Sequence, residues 1–463
     1  MKNPLILLAG LSVLTSGFAA ERRPNILLVL SDDHGWSQLS RTMHPDVPDA
    51  QSGFLRTPNI DRMGREGVRF SSAYSPAPLC TPTRRSILCG TSAARSGSEF
   101  ASRWVPAEHT TIPKALKQVD PAYRCAHFGK WGEQMNSTPE ESGYDASDGV
   151  TGNNTGGMPQ TLNPGLAKAG HGNTPAFYTN QEDPKLTGHV TDRALDFMRE
   201  SARMNRPFYV QASYYAVHLS IACREETLNR VQARGAPDRE YTSAWAAMLE
   251  EMDAGVGRLL DGIKALGIED NTYVVFTSDN GGRGRMPGYD ATRPPANHPL
   301  TGEKHQLYEG GIRVPFVVIG PGIPAGEICH VPVAGYDLLP TFQDLAGGKP
   351  RLSPAIDGVS LKPLWQRPTQ ATLARPNGGL VFHRPGRGVS AIRQGDYKLM
   401  LAWDKNGGIT SRELYRFAPD PREAGRDIAK QEPARADRLQ AVLLDYLEST
   451  NAETPRTVPK KKL

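Results

Sequence analysis

Strand-length apolar runs recur along the chain, and several of them end on charged residues. Residues 25–30 read Asn-Ile-Leu-Leu-Val-Leu, with no polar alternation, which predicts a parallel strand buried on both faces. That run leads straight into Ser31-Asp32-Asp33-His34-Gly35-Trp36. Residues 272–277 repeat the pattern and lead into Ser278-Asp279-Asn280-Gly281-Gly282. Further strands are predicted over 123–129, ending at Lys130, over 207–217, with His218 just beyond, and over 316–319. Elsewhere the period becomes helical. Residues 191–201 form an amphipathic stretch, and 241–266 place Ala244, Met248, Met252, Val256 and Leu259 on one side before stopping at Gly267. Thr57 and Thr111 open shorter helices, the first with good capping chemistry. From about Pro376 the character changes: 391–401 and 413–417 predict short antiparallel strands, and 434–447 a closing helix. This divides the chain into 1–20, 21–375 and 376–463, with no flexible linker between the last two.

Composition narrows the function. The 463 residues carry a net charge of +5 that is spread out, and the one dense run, Lys460-Lys461-Lys462, reads as a solvated tail. Without a basic stripe interleaved with aromatics, nucleic acid is not an expected partner. Lys2, the apolar residues 5–13 and Gly17-Phe18-Ala19-Ala20 form an export signal, too short for a comfortable membrane span. No cysteine follows it closely enough for a lipid anchor, so a periplasmic or secreted protein beginning near Glu21 is expected. Five cysteines (Cys80, Cys89, Cys125, Cys223 and Cys329) make an odd count, which in an exported chain flags one thiol with another role. Their spacing argues against zinc, and the pairing of the other four stays open.

The flagged thiol stands out in residues 79–90, Leu-Cys-Thr-Pro-Thr-Arg-Arg-Ser-Ile-Leu-Cys-Gly. Thr81 as N-cap and Pro82 at the first helical position would start a helix. Ile87 and Leu88 give it an apolar side, and Gly90 ends it in a left-handed turn. Cys80 would then sit where free N–H groups favour an anion, with Arg84 one turn on. Asp32 and Asp33, adjacent at a strand's carboxyl end, repel each other unless a cation lies between them. With Asp279 and Asn280 they form a hard oxygen set suited to Ca²⁺ or Mg²⁺. Taken singly, each residue has a plainer reading: a buried cysteine, a capping acid, a surface lysine at 130, a structural histidine at 218.

Cys80-Thr-Pro-Thr-Arg84 resembles the signature of the formylglycine-dependent sulfatases, in which that cysteine is oxidised to an aldehyde; Thr83 stands where the family has Ser or Ala. Residues 31–36, Gly129-Lys130-Trp131, 278–282 and the 304–315 run stand in the same family's order, as do Leu414-Tyr415 and the following Asp420-Pro421-Arg422-Glu423. The resemblance implies an α/β fold like alkaline phosphatase, a mixed, mainly parallel sheet between helices with a small antiparallel C-terminal subdomain. It implies Ca²⁺, ahead of Mg²⁺, held by Asp32, Asp33, Asp279 and Asn280 and touching the group made from Cys80. Hydrated formylglycine would be the nucleophile, its second hydroxyl expelling sulfate, with Arg84 steadying the hydroxyls and Lys130, His218 and Lys304 contacting the sulfate. A formylglycine-generating enzyme is the implied maturation partner, and a sulfated small molecule or polysaccharide the implied substrate. The irregular 143–180 stretch, His383 and Arg384 are candidate pocket formers. One departure concerns Gly132, which replaces the histidine that the family places beside formylglycine. His127 does not replace it, since in an extended strand it faces away from Lys130. The alternatives are a phosphodiesterase or phosphonate hydrolase of the same superfamily, or an inactive sulfatase-like binding protein.

Overall fold

The structure is a computed structural model that describes residues 22–97, 100, 102–156, 177–178, 182–286, 288–348, 354–369 and 373–457. The export signal, the lysine tail and most of the 143–180 insertion lie outside these residues. At the centre runs β1 (Asn25–Ser31), buried at every position. Leu27 and Val29 face one apolar layer, and Ile26, Leu28 and Leu30 the other, which is why the sequence shows a continuous run rather than an alternation. Seven more strands complete the sheet: β2 (Val68–Phe70), β3 (Arg124–Gly129), β4 (Ala146–Ser147), β5 (Phe208–Ser213), β6 (Thr272–Ser278), β7 (Phe316–Ile319) and β8 (Glu327–Cys329). Their order is β8-β2-β7-β6-β1-β5-β3-β4. Only β7 runs against the rest, pairing antiparallel with β6 and β2, so the sheet is mixed and mainly parallel, as expected.

Helices cover both faces. On one lie α1 (Pro58–Glu66), α4 (Thr187–Arg203) and α5 (Ser243–Ala265); on the other, α2 (Cys80–Cys89), α3 (Ile112–Val119) and α6 (Leu338–Leu345). The start of α1 departs from expectation, because the Thr57 side chain makes no cap bond. Instead the Asp253 carboxylate, reaching over from α5, accepts the N–H groups of Asn59 and Ile60 at 3.0 and 2.9 Å. Among the described residues, no helix is long and apolar enough to cross a membrane. All five cysteines are buried and unpaired.

Beyond the sheet, β9 (Leu380–Arg384), β10 (Val389–Gln394), β11 (Tyr397–Trp403) and β12 (Ile409–Arg416) form an antiparallel meander. Residues 391–401 are therefore not one strand: Gly395, at φ 54°, turns the chain so that Gln394 pairs with Tyr397. One face of the meander packs under α7 (Pro433–Ser449) through Leu399, Leu414, Leu439 and Leu443. The other packs on Tyr74, Leu307, Ile312 and Tyr336 of the larger body. Buried charges lock that second contact, with Lys398 Nζ reaching Glu309 at 2.9 Å and Glu423 at 2.8 Å, while Arg313 holds Glu309 at 2.6 Å.

Candidate active site

Neighbouring parallel strands deliver the expected residues to one edge. The Asp32 N–H bonds Ala216 O at 3.0 Å, Asp279 N–H bonds Ser31 O at 3.1 Å, and Lys130 N–H bonds Ser213 O at 2.8 Å. The ladders of β6, β1, β5 and β3 thus continue past their ends, setting Asp279-Asn280, Asp32-Asp33, the 214–218 loop and Lys130 side by side. Such a carboxyl edge is where open α/β sheets bind ligands.

Helix α2 enters this edge with its first residue. Leu79, extended at φ −148° and ψ 143°, is the N-cap and Cys80 opens the helix. This corrects the expectation of a Thr81 cap with Pro82 first, because the Thr81 hydroxyl is taken up by the Glu133 N–H at 3.0 Å. Thr83 also has a structural reason: its hydroxyl donates to Ala77 O at 2.9 Å and accepts Ala77 N–H at 3.2 Å, bracing the loop before the helix. Gly90 is left-handed at φ 68°, as expected. Arg84, one turn beyond Cys80, places two N–H groups on Asp279 Oδ2 at 2.9 and 2.7 Å and a third on Lys130 O at 2.6 Å. Cys80 lies within electrostatic reach of Arg84, Lys130 and Lys304.

The charges interlock. Lys130 Nζ pairs with Asp32 Oδ2, and Lys304 Nζ with Asp33 Oδ1 at 2.6 Å. Burial disfavours the Asp32 charge, but Lys130 and the cations around it outweigh burial and hold the carboxyl far below its usual range. Burial, with Asp32 as a like-charged neighbour, raises the Asp279 carboxyl above its usual range in spite of Arg84. Asn280 Nδ2 donates to Asp33 Oδ1 at 2.8 Å. That leaves Asp32 Oδ1, Asp33 Oδ2 and Asn280 Oδ1 buried without a hydrogen-bond partner, a costly state for three oxygens unless a cation takes them. Among the described residues, Asp32, Asp33 and His218 form the group whose ligand atoms all lie within 4.8 Å of one another. Asp279, expected in that group, is turned onto Arg84 and the Asp33 N–H instead.

His218 Nε2 stands 3.8 Å from Asp33 Oδ2, and Nδ1–H donates to Leu219 O. Burial and then Lys304 lower its pKa to about 3, so the ring is neutral and turns the lone pair of Nε2 toward the cluster. The sequence reading missed Lys185, which carries no motif and follows an irregular stretch. Buried, it donates to His218 O at 3.0 Å and Ser220 O at 3.2 Å, and burial brings its pKa down to about 7.

Gly132 is at φ 145°, and a Cβ there would meet Met135 Cγ at 2.9 Å and Arg84 Cδ at 3.7 Å. Met135 thus fills the space a side chain at 132 would need. His127 is fully buried, its Nε2 on Ser213 Oγ at 3.2 Å and its ring edge-on to Trp131 and Tyr144. Of the expected pocket formers, Arg384 lines a cavity beside Lys304, His383 does not, and most of the 143–180 stretch lies outside the described residues. Neighbours on β9 point to opposite faces, and His383 is held by Ser390 Oγ and Glu453 O.

A family model described as Sulfatase matches residues 24–348. N-acetylgalactosamine-6-sulfatase of Mus musculus is 30% identical over 451 residues, covering 92% of this chain and 81% of that protein. Arylsulfatase A of Homo sapiens is 30% identical over 484 residues, covering 93% and 89%. The crystal structure of Ps i-CgsB in complex with k-i-k-neocarrahexaose superposes with a TM-score of 0.74 at 25% identity, covering 95% of each chain.

Proposed function

Because the chain belongs to the sulfatase family of sulfuric ester hydrolases, we propose that it cleaves a sulfate monoester on a sulfated carbohydrate, in preference to a phosphate diester or a phosphonate. In this reading Cys80 is converted to formylglycine by a generating enzyme, the protein acts after export to the periplasm or beyond, 21–375 is the catalytic domain and 376–463 the C-terminal subdomain. The carbohydrate follows the N-acetylgalactosamine-6-sulfatase relatives and the solved neocarrahexaose complex.

The observation that carries the reading is the trio of buried, unpartnered oxygens on Asp32, Asp33 and Asn280 beside Arg84, Lys130 and Lys304. An all-oxygen, carboxylate-rich set fits Ca²⁺. Asp32, Asp33 and Asn280 would hold it through their unpartnered oxygens, beside the group at position 80, and Asp279 would join them only on leaving Arg84. Bound there, Ca²⁺ supplies charge stabilisation to a sulfate oxygen and lowers the pKa of a neighbouring hydroxyl. Hydrated formylglycine supplies an oxygen nucleophile and a second hydroxyl for release of sulfate.

The chain's own residues do the rest. Lys130 and Lys304 present ammonium groups already desolvated and fixed, so their stabilisation of a sulfate in transit needs no reorganisation. Arg84 locks Asp279 and the Lys130 main chain, fixing where the Lys130 ammonium points. His218 contacts a sulfate oxygen as a donor only after Nε2 gains a proton, which the arriving negative charge favours.

Expression with a formylglycine-generating enzyme should yield a Cys80 peptide that reacts with carbonyl reagents, and sulfate release from sulfated sugars that chelation abolishes. A fully alkylatable Cys80 in a fully active preparation would overturn the nucleophile. Undiminished release after exhaustive chelation would overturn the metal.

A further inference from the structure

A cavity of about 380 Å³ adjoins Lys304, between the 303–308 segment and β9–β12, within the range of small-ligand sites. Leu307, Val389, Met400 and Leu401 line it with aliphatic surface suited to the C–H face of a sugar ring. Both carboxylates on its walls are committed to protein donors. Glu303 accepts the Gly284 N–H at 2.6 Å, and Glu413 accepts the hydroxyls of Tyr308 at 3.1 Å and Tyr415 at 2.7 Å. Arg384 donates to His305 O, which ties β9 to the residue next to Lys304. Arg387 differs: it is exposed on the cavity wall and, among the described residues, has no ion pair or hydrogen bond. Its backbone is fixed nonetheless. It ends a short turn closed by Gly388 at φ 62°, whose carbonyl accepts the Trp403 N–H at 2.8 Å.

We propose that this cavity holds the sugar bearing the scissile ester and that Arg387 reads a second oxyanion on the substrate, a further sulfate or a uronate carboxylate. The proposal rests on the sulfatase reading for the placement of the first sulfate. A guanidinium on a fixed turn matches both groups with two parallel hydrogen bonds, and the engaged state of Glu303 and Glu413 leaves Arg387 as the side chain free to do so. The preferred substrate is therefore polyanionic, with a second charge beside the scissile ester.

The test is a titration of Cys80→Ala, with and without Arg387→Gln, in Ca²⁺ buffer. Its probes are N-acetylgalactosamine 6-sulfate, the 4,6-disulfate, and the disaccharide carrying a uronic acid on the 6-sulfated residue. At least one doubly charged probe should bind roughly tenfold or more tighter than the monosulfate, the worth of one charge-assisted hydrogen bond. In Arg387→Gln the ratio should fall to about one. Preference for the disulfate assigns a sulfate to the wall, and preference for the disaccharide a uronate. Equal binding of all three, a preference that survives Arg387→Gln, or no binding at all would overturn the proposal. Sulfate release by the unmutated enzyme is read separately on the same probes. Its absence alongside an Arg387-dependent preference would sink the sulfatase reading and leave the cavity assignment standing.

Discussion

At Lys185 the chain commits a buried amine to two main-chain carbonyls, those of His218 and Ser220, with no carboxylate in ion-pair contact among the described residues. Such a lysine fixes the path of the loop that presents His218. Lys185→Met should leave two carbonyls without donors, at about 1–3 kcal/mol each, and let His218 drift from Asp33. We expect kcat/KM on an aryl sulfate to fall roughly tenfold or more, a loss of about 1.4 kcal/mol or more in transition-state binding, with the fold intact by circular dichroism. Unchanged kinetics would show that His218 is held from elsewhere. The thiols give a second test at this scale. Burial pushes Cys89 and Cys223 up to about 12 and Cys329 to about 11, and raises Cys125 further still, so these four should not react with a thiol reagent in the native enzyme at neutral pH. After denaturation the titration should count four thiols if Cys80 has been converted and five if it has not.

Two elements carry charge in ways that the apolar pattern does not foretell. Burial raises the Asp253 carboxyl, which caps α1, from 3.8 to about 6. Between these values the folded state holds the proton and the unfolded chain releases it. The stabilisation from protonation is therefore complete below about pH 4 and lost as pH rises through about 6. In Asp253→Asn this dependence disappears, so melting curves of the two proteins should shift in favour of the wild type as pH falls from 7 to 4; a constant offset would refute the assignment. Lys398 is the second case. Lys398→Met strands Glu309 and Glu423 as buried carboxylates and should cost about 3–5 kcal/mol in denaturant unfolding, and activity should fall with it, because Glu309 belongs to the segment that carries Lys304. A variant as stable as the wild type would mean that Arg313 alone satisfies Glu309. Neither arrangement is legible in sequence. Asp253 meets α1 from nearly two hundred positions away, with Asn59 to Asp253 a separation of 194, and Lys398 meets Glu309 across 89. The strands that end in acids are legible because both their faces are buried, so the apolar run and the sudden charge stand side by side. At α2 the sequence misplaces the cap, since Thr81 has the right chemistry but Glu133 claims its hydroxyl. Five-residue β9, between glycines and Pro385, gives too short a period to register.

For the molecule as a whole, the unpartnered oxygens at the sheet edge predict that stability rises when a cation takes them. Ca²⁺ at a hundred times its Kd should add about 2.7 kcal/mol to unfolding, so chelation should lower the melting temperature even in Cys80→Ala, where no turnover is involved; identical melts with and without chelator would remove the cation from the account. The cavity beside Lys304 has one further consequence. One wall, residues 303–308, runs directly into the ester-cleaving edge, while the other belongs to a meander supplied some eighty residues later and anchored by its own apolar layer under α7. Residues on the rim of that second wall, such as Arg387 and Ser411, can be exchanged without disturbing Asp32, Lys130 or Lys304. Substrate range and bond-breaking chemistry are thus separately mutable, and a library confined to the meander rim is the short route to redirecting this enzyme toward other sulfate esters.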